Sequence, residues 1–100
     1  MQLTTAAAIQ CAIRAEPRSG LLRIEAVARS AEPRDGRYRF LVTKSSETGR
    51  SSSVQSGTFV LQDGGEQVLT TVVLDQSAIG SYRADLSLES DQENATCTWP

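Results

Sequence analysis

The sequence predicts an all-β fold, an immunoglobulin-like antiparallel β-sandwich of about seven strands. Three observations support this prediction. Apolar and polar residues alternate with a period of two in most of the apolar segments, which is typical of half-buried strands. Turn residues separate these segments at roughly even intervals, and no segment has a convincing helical pattern. Short strands spaced in this way are typical of sandwiches.

The first half of the chain contains four predicted strands. They are residues 8–15, 21–30, 37–43 and 50–61, with turns at 16–20, 31–36 and 45–49. The second strand could also form a helix, because Leu, Glu, Ala and Arg are good helix formers, but its strict alternation favours a strand. In the third, Tyr38, Phe40 and Val42 face one side, opposite Arg37 and Arg39. The fourth is so rich in serine that it is either a sheet edge or a surface with a function.

The second half contains the other three predicted strands. They are residues 66–75, 81–90 and 95–99, with turns at 63–65 and 91–94 and a crossover at 76–80. The fifth strand is apolar and β-branched on both faces, so we expect it to be buried, with Val68 and Val72 on the same side. Tyr82 opens the sixth strand. Immunoglobulin-like domains place a tyrosine there whose hydroxyl bonds the preceding backbone, and an ordinary core aromatic is the alternative.

The length of 100 residues predicts a single domain. Residues 1–7 are interpreted as a flexible N-terminal tail, and residues 8–100 as one sandwich domain. No segment approaches the roughly 20 consecutive apolar residues that span a bilayer. We therefore expect no membrane insertion.

The charged residues are distributed unevenly along the chain. Residues 1–50 carry nine Lys and Arg and five Asp and Glu, so 9 − 5 = +4, whereas residues 51–100 carry one Arg and seven acids, so 1 − 7 = −6. This asymmetry suggests a polarised molecule, and a solvated surface of mixed charge is the alternative. Duplex nucleic acid is not an expected partner, because the protein is acidic overall and has no lysine cluster.

The two cysteines, Cys11 and Cys97, lie near opposite ends of the chain. An even number of cysteines in a small chain suggests a disulfide and an oxidising compartment. Two free buried thiols in a cytosolic protein are the alternative. No secretory signal is visible at the start of the sequence. An oxidising location would therefore require that a leader has been removed and that Met1 was added for expression.

The residue types needed for most catalysis are missing. The chain has no histidine, which is the commonest general base and metal ligand. If the cysteines form a bridge, neither a thiolate nucleophile nor a zinc ligand set remains. The serines lack a nucleophile-elbow pattern and a plausible base. We therefore predict a binding protein with no catalytic residues, no metal and no cofactor.

A motif across the third and fourth strands resembles that of a known family. An apolar run ends in a basic residue, and after a turn alternating serines lead to a glutamine and a glycine. Its residues are Phe40-Leu41-Val42-Thr43-Lys44, Gly49, Ser51, Ser53, Gln55 and Gly57. This pattern resembles the curli amyloid inhibitors of the CsgC/CsgH type, and the cysteine arrangement is closer to the CsgH branch. Some members carry Cys-x-Cys where this chain has Phe40-Leu41-Val42, so no redox role for that pair is carried over.

The resemblance implies a periplasmic sandwich that prevents curli subunits from forming amyloid before they leave the cell. The expected partners are unfolded or nucleating curli subunits, held by weak surface contacts, and the protein itself is expected to be a monomer. The candidate contact residues are Arg37, Arg39, Lys44, Arg50, Ser51, Ser53, Gln55 and Arg83. Structural roles are expected for Tyr82, Gly49 and Gly57, and a disulfide for Cys11 and Cys97.

An adhesive or structural β-sandwich module of a bacterial cell-surface protein is the alternative function. Such a module would bind a glycan or another domain. The sequence lacks the cluster of exposed aromatic residues expected of a sugar-binding platform, because its five aromatic residues fall mostly on predicted inward faces.

Overall fold

A computed structural model of the chain describes residues 9–46, 49–62, 65–91 and 93–100. The strands are β1 (Ile9–Arg18), β2 (Leu21–Ser30), β3 (Arg34–Ser46), β4 (Gly49–Leu61), β5 (Glu66–Asp75), β6 (Tyr82–Ser90) and β7 (Asn94–Trp99). A 3-10 turn, Gln76–Ala78, follows β5. No helix within the described ranges is long and apolar enough to cross a membrane. The predicted tail, residues 1–7, lies outside the described residues.

The seven strands form two antiparallel sheets, which confirms the predicted sandwich. The smaller sheet has the order β1-β2-β5, and the larger has the order β4-β3-β6-β7. Sequence neighbours within each sheet are joined as hairpins, and the chain crosses between sheets after β2, β4 and β5. β4 and β7 are therefore the edges of the larger sheet, and β1 and β5 are the edges of the smaller one.

The first hairpin shows how local sequence sets the strand pairing. Ser19 and Gly20 both have positive φ values, 52° and 82°, and Arg18 pairs directly with Leu21. Two central residues with positive φ define the type I′ turn, whose twist matches that of the flanking strands. The reversal is therefore tighter than the predicted turn at residues 16–20, and β1 continues to Arg18.

The core lies between the inward faces of the two sheets, as the alternation predicts. Ile24, Phe40 and Leu86 are fully buried, whereas their neighbours along the strands are more exposed. The remaining large apolar core residues are Ile9, Leu22, Val42, Phe59, Leu61, Val72 and Leu88. Burial of such side chains stabilises the fold by roughly 1.5–3 kcal/mol each.

β5 departs from simple alternation. Its pairing with β2 shifts register between Ala26 and Val27, which face Thr70 and Val68 respectively. Leu69 is the extra residue of this bulge and packs against the core, whereas Val68 is 43% exposed. The prediction that Val68 shares the inward face with Val72 is therefore wrong, because one inserted residue reverses the facing of every residue before it.

Gly36 was predicted to lie in a turn at residues 31–36, and this prediction is wrong. Gly36 lies within β3, where it pairs with Phe59 on one side and Ser90 on the other. A Cβ atom at this position would overlap the backbone carbonyl oxygen of Glu89 and lie 3.0 Å from the Phe59 ring. The glycine therefore permits close approach between strands, one of the roles that glycine has inside a sheet.

A disulfide joins Cys11 on β1 to Cys97 on β7, with Cα atoms 6.0 Å apart. This confirms the predicted bridge and excludes the alternative of two free thiols. Because β1 and β7 belong to different sheets, no strand pairing connects them. The disulfide is therefore a covalent link between the two layers along one side of the sandwich.

Ion pairs bring together charges from the two halves of the chain. The pairs are Arg14–Glu66 at 2.6 Å, Arg29–Glu66 at 3.7 Å, Arg34–Glu93 at 3.4 Å and Arg37–Glu89 at 3.1 Å. In each pair a cation of the basic half meets a carboxylate of the acidic half. The asymmetry along the sequence is therefore partly neutralised in space, which favours the mixed-charge surface over a polarised molecule.

Candidate partner-binding surface

The outer surface of the larger sheet carries four of the predicted contact residues. We call it the arginine face, defined by Arg37, Arg39, Arg50 and Arg83. Arg37 and Arg39 alternate along β3 with inward-facing residues such as Phe40, which is fully buried. The cross-strand partners Thr43 and Arg83 share a face, as do Ser45 and Arg50. The structure thus places these four arginines on one surface.

The arginines of this face are exposed and weakly held. Arg37 Nη2 donates a hydrogen bond to Glu89 Oε1 at 3.1 Å, with side chains that are 76% and 63% exposed. Arg83 Nε donates to Asp85 Oδ2 at 3.2 Å, and its side chain is 67% exposed. Among the described residues, no carboxylate pairs with Arg39. Exposed pairs of this kind contribute about 0–1 kcal/mol, so the guanidinium groups are available to other acceptors.

An open cleft of about 580 Å³ lies at one end of the arginine face. Arg50 and Arg83 line it together with Thr43, Ser45, Gly80, Ser81 and Tyr82. A backbone hydrogen bond of 2.8 Å from Ser45 N to Ser81 O joins β3 to the segment before β6. The sequence alone did not identify Thr43, Ser45 and Ser81 as part of this site. Residues 80–83 lie beside the β3–β4 hairpin only because β6 pairs with β3 in the folded protein.

The polar residues of β4 lie on the opposite side of the sheet from the arginines. Ser51 pairs with Lys44, Ser53 with Val42, and Gln55 with Phe40, so all three follow the inward-facing row. Ser51 and Ser53 are nevertheless exposed, whereas Gln55 is half-buried. The hydroxyl of Thr70 on β5 donates a hydrogen bond to Gln55 Oε1. Gln55 thus bridges the two sheets on the side of the sandwich away from the disulfide.

Lys44 is separate from the arginine face. It is half-buried in the inward-facing row of β3, where it pairs with Tyr82 on β6. The backbone N–H of Ser77 donates to Asp75 Oδ1 at 2.8 Å. That bond, a second from the Ser77 side chain and the charge of Lys44 hold the pKa of Asp75 below its usual value. The charge of Lys44 therefore stabilises the Asp75 carboxylate at the start of the β5–β6 crossover. Lys44 lies on the inward face of the larger sheet, opposite the arginine face.

The glycines of the motif have different surroundings. Gly49 begins β4 with a φ of 143°, a conformation that favours glycine. Gly57 pairs directly with Tyr38, and a Cβ at Gly57 would lie 3.0 Å from the tyrosine ring. The absence of a side chain lets the ring lie against β4, and the Tyr38 hydroxyl donates to the Leu69 carbonyl at 3.4 Å.

Tyr82 opens β6 at the position that the sequence indicated, but its hydroxyl has a different partner. Trp99 Nε1 donates a hydrogen bond to the Tyr82 hydroxyl oxygen at 2.9 Å. Among the residues that the structure describes, this hydroxyl makes no bond to the preceding backbone, and it accepts its bond from a side chain of β7. Trp99 remains 45% exposed, so this pair ties the last strand to the sheet at its rim.

The described residues contain no group of three or more His, Cys, Asp or Glu side chains arranged to hold a metal ion. The arrangement is that of a contact surface: exposed guanidinium groups on one side of β3 and β6, and an exposed polar edge strand beside them.

Comparison with known proteins identifies the family. The family model described as "CsgH protein" matches residues 10–99. The solution structure of R. palustris CsgH is similar, with 26% identity and a TM-score of 0.77, over 90% of this chain and 89% of that one. E. coli curli protein CsgC has the same fold, with 17% identity and a TM-score of 0.79, over 92% and 98% of the two chains.

The fold is shared more widely. Spo0M, a sporulation control protein from Bacillus subtilis, has 12% identity and a TM-score of 0.55, over 94% of this chain and 48% of that one. A comparison with curated protein sequences found no significant match. The resemblance predicted from the β3–β4 motif is confirmed, including the closer relation to the CsgH branch. Because the family match spans residues 10–99, the chain belongs to the CsgH protein family.

Proposed function

We propose that this protein is a periplasmic, chaperone-like inhibitor of curli-subunit polymerisation. It acts by weak surface contacts with unfolded or nucleating subunits. Membership of the CsgH family is the observation that carries the proposal, and the shared fold with a curli protein supports it. The disulfide suits the periplasm, which is an oxidising compartment. The function is one of binding, without an enzymatic reaction.

The arginine face supplies the contacts. Amyloid-forming chains stack polar segments whose amide and carboxylate oxygens are hydrogen-bond acceptors. Guanidinium groups donate several hydrogen bonds each and are weakly hydrated, so they suit such acceptors. Arg37 and Arg83 exchange an exposed carboxylate of the protein for one of the client with little loss of stability. Many weak contacts over a surface fit a client that has no fixed shape.

Charge reversal of this face tests the proposal. In a dye-binding assay of curli-subunit polymerisation, the wild-type protein well below stoichiometric amounts should prolong the lag phase. The variant Arg37→Glu/Arg39→Glu should lose most of that delay while its melting temperature changes little, because both side chains are exposed. Added salt should also shorten the delay, since exposed charges are screened with a Debye length of about 10 Å at 0.1 M.

A matched control changes the same number of charges elsewhere. Arg18 and Arg23 lie on the outer face of the smaller sheet, with side chains that are 72% and 50% exposed. The variant Arg18→Glu/Arg23→Glu should keep the wild-type delay. An equal loss in both variants would show that net charge matters and the arginine face does not. A wild-type protein with no effect on the lag phase would reject the inhibitor function in favour of an adhesive or structural module.

A further inference from the structure

β4 is an edge strand of unusual length. It pairs with β3 over all 13 of its residues, from Gly49 to Leu61, and with no other described strand. An edge strand presents a row of backbone N–H and C=O groups that can pair with another extended chain. Proteins normally protect such rows with charged side chains, prolines, bulges or short strands.

The other three edges of the sandwich have these protections. β1 contains Arg14, Glu16, Pro17 and Arg18. β5 is bulged in its pairing with β2 and begins and ends with acidic residues. β7 has only six residues and is followed by Pro100. Both β1 and β7 are also tied to each other by the disulfide.

β4 has none of these protections over most of its length. From Ser51 to Leu61 it contains no charged residue and no proline, and its pairing with β3 is regular throughout. The side chains from Ser51 to Gly57 are mostly small and neutral. Val54 and Val60, on the outer side, are 50% and 66% exposed. An added strand would cover part of both valines, so apolar burial would support the main-chain hydrogen bonds.

The register places arginines beside this edge. Arg37 pairs with Thr58 and Arg39 with Ser56. Neighbouring strands lie about 4.8 Å apart, so a strand added to β4 would lie about 10 Å from β3. The small side chains of Ser56 and Thr58 leave the space between them open. The Arg39 guanidinium can therefore extend over β4 toward the outer side chains of an added strand. Arg37 would have to leave Glu89 on β6, its partner in this structure, to do the same.

We propose that β4 binds one extended segment of a polar, unstructured polypeptide, which joins the larger sheet as a fifth strand. Main-chain hydrogen bonds to β4 supply the affinity, as in other cases of strand addition. Arg37 and Arg39 select segments with Asp, Glu, Asn or Gln on the outer side. This inference rests on the proposed function in one respect: the natural segment would belong to a curli subunit.

Charge argues against a second copy of this chain as the occupant. In an antiparallel β4–β4 pair related by a two-fold axis, the outer faces of both copies lie on the same side of the joined sheet. The second β4 would bring only the neutral residues 51–61 beside Arg37 and Arg39. The arginines of the other copy, on a β3 strand about 14 Å away, would add a weak repulsion. A polar segment with acidic residues on one side meets the same cations with attraction.

Proline substitutions separate backbone pairing from surface charge. In an antiparallel pair, alternate residues direct their N–H groups toward the partner or away from it. One of the variants Ser52→Pro and Ser53→Pro therefore removes a hydrogen bond to β3 and is unstable, whereas the other removes an N–H from the free edge and keeps its stability. Thermal melting identifies the tolerated variant. The alanine variant at the same position is its control.

The probe is a synthetic ten-residue peptide of Ser, Asn and Gln with two aspartates on one side of the extended chain. Its addition to the isotopically labelled protein should shift the NMR signals of the β4 amides that point away from β3, and it should protect these amides from hydrogen exchange. The tolerated proline variant should bind about tenfold more weakly, since one or two hydrogen bonds are lost. The same peptide with alternate N-methyl groups should not bind. Binding that survives N-methylation, or shifts confined to the arginine side chains, would overturn the proposal.

The two proposals fail in different ways. If the tolerated proline variant prolongs the polymerisation lag as well as its alanine control, edge pairing is wrong and the inhibitor function stands. If the peptide pairs with β4 but wild-type protein does not delay polymerisation, the inhibitor function is wrong and the docking edge stands. Concentration-dependent dimerisation through β4, abolished by the same proline, would overturn the proposal by making a second copy the occupant.

Discussion

Removal of the Cys11–Cys97 disulfide should destabilise the protein more than the loss of most single side chains. The two residues are separated by 86 positions, so the bridge restricts nearly the whole unfolded chain. The loop-closure relation gives about 4.5 kcal/mol for a separation of this size. In the folded state the bridge connects strands of different sheets that share no strand pairing, so no backbone hydrogen bonds replace it.

The measurement is urea unfolding of three samples: oxidised protein, reduced protein and the variant Cys11→Ala/Cys97→Ala. With a slope of about 1.5 kcal/mol per M, a loss of 4.5 kcal/mol shifts the midpoint by roughly 3 M. Reduction should also steepen the slope, because the unlinked chain exposes more surface when it unfolds. The reduced protein keeps both sulfur atoms, which are packed against the core, so its difference from the alanine variant measures packing alone.

A loss below about 1 kcal/mol on reduction would refute the reasoning, because it would mean that the unfolded chain is already compact without the bridge. An unchanged slope would refute it as well, even with a large loss of stability.

Two further predictions concern single positions. Gly36→Ala should lower the free energy of unfolding by about 3 kcal/mol or prevent folding, because the new methyl group meets the Glu89 carbonyl; a melting curve within 2 °C of wild type would contradict the close approach of β3 and β6. Asp75→Asn should reduce stability at neutral pH but not at pH 2. The Ser77 hydrogen bonds lower the pKa of Asp75 in the folded state, so its contribution is present above the ordinary aspartate pKa of about 3.9 and is lost as pH falls through the folded value. Equal losses at both pH values would show that charge is not involved.

Much of the fold is predictable because alternation reports burial directly. Tyr38, Phe40 and Val42 follow one face of β3 in the sequence, and the structure buries Phe40 and Val42 almost completely. Turn chemistry is less reliable. The Asp35-Gly36 pair suggests a reversal, yet both residues pair with β4. The sequence alone does not distinguish a glycine that turns the chain from one that allows a neighbouring strand to approach closely.

The candidate surface is only partly predictable for a related reason. The outward positions of Arg37 and Arg39 follow from their own strand, so the pattern of β3 is enough. The bulge at Leu69 depends on the register with β2, and the contact between Gln55 and Thr70 depends on how the sheets stack. Neither the bulge nor this contact can be read from the alternation of residues within one strand. Gly57 is the clearest sequence indication of a contact between strands, because its lack of a side chain leaves room on β4 for the Tyr38 ring of β3.

The two long sides of the sandwich are closed by very different bonds. Along one side, sulfur joins β1 to β7; along the other, the contacts described between the sheets include the Gln55–Thr70 and Tyr38–Leu69 hydrogen bonds. Hydrogen bonds break and reform in thermal motion, whereas the covalent link does not. The two sheets should therefore separate more readily in thermal motion along the side of β4 and β5 than along the side that the disulfide closes.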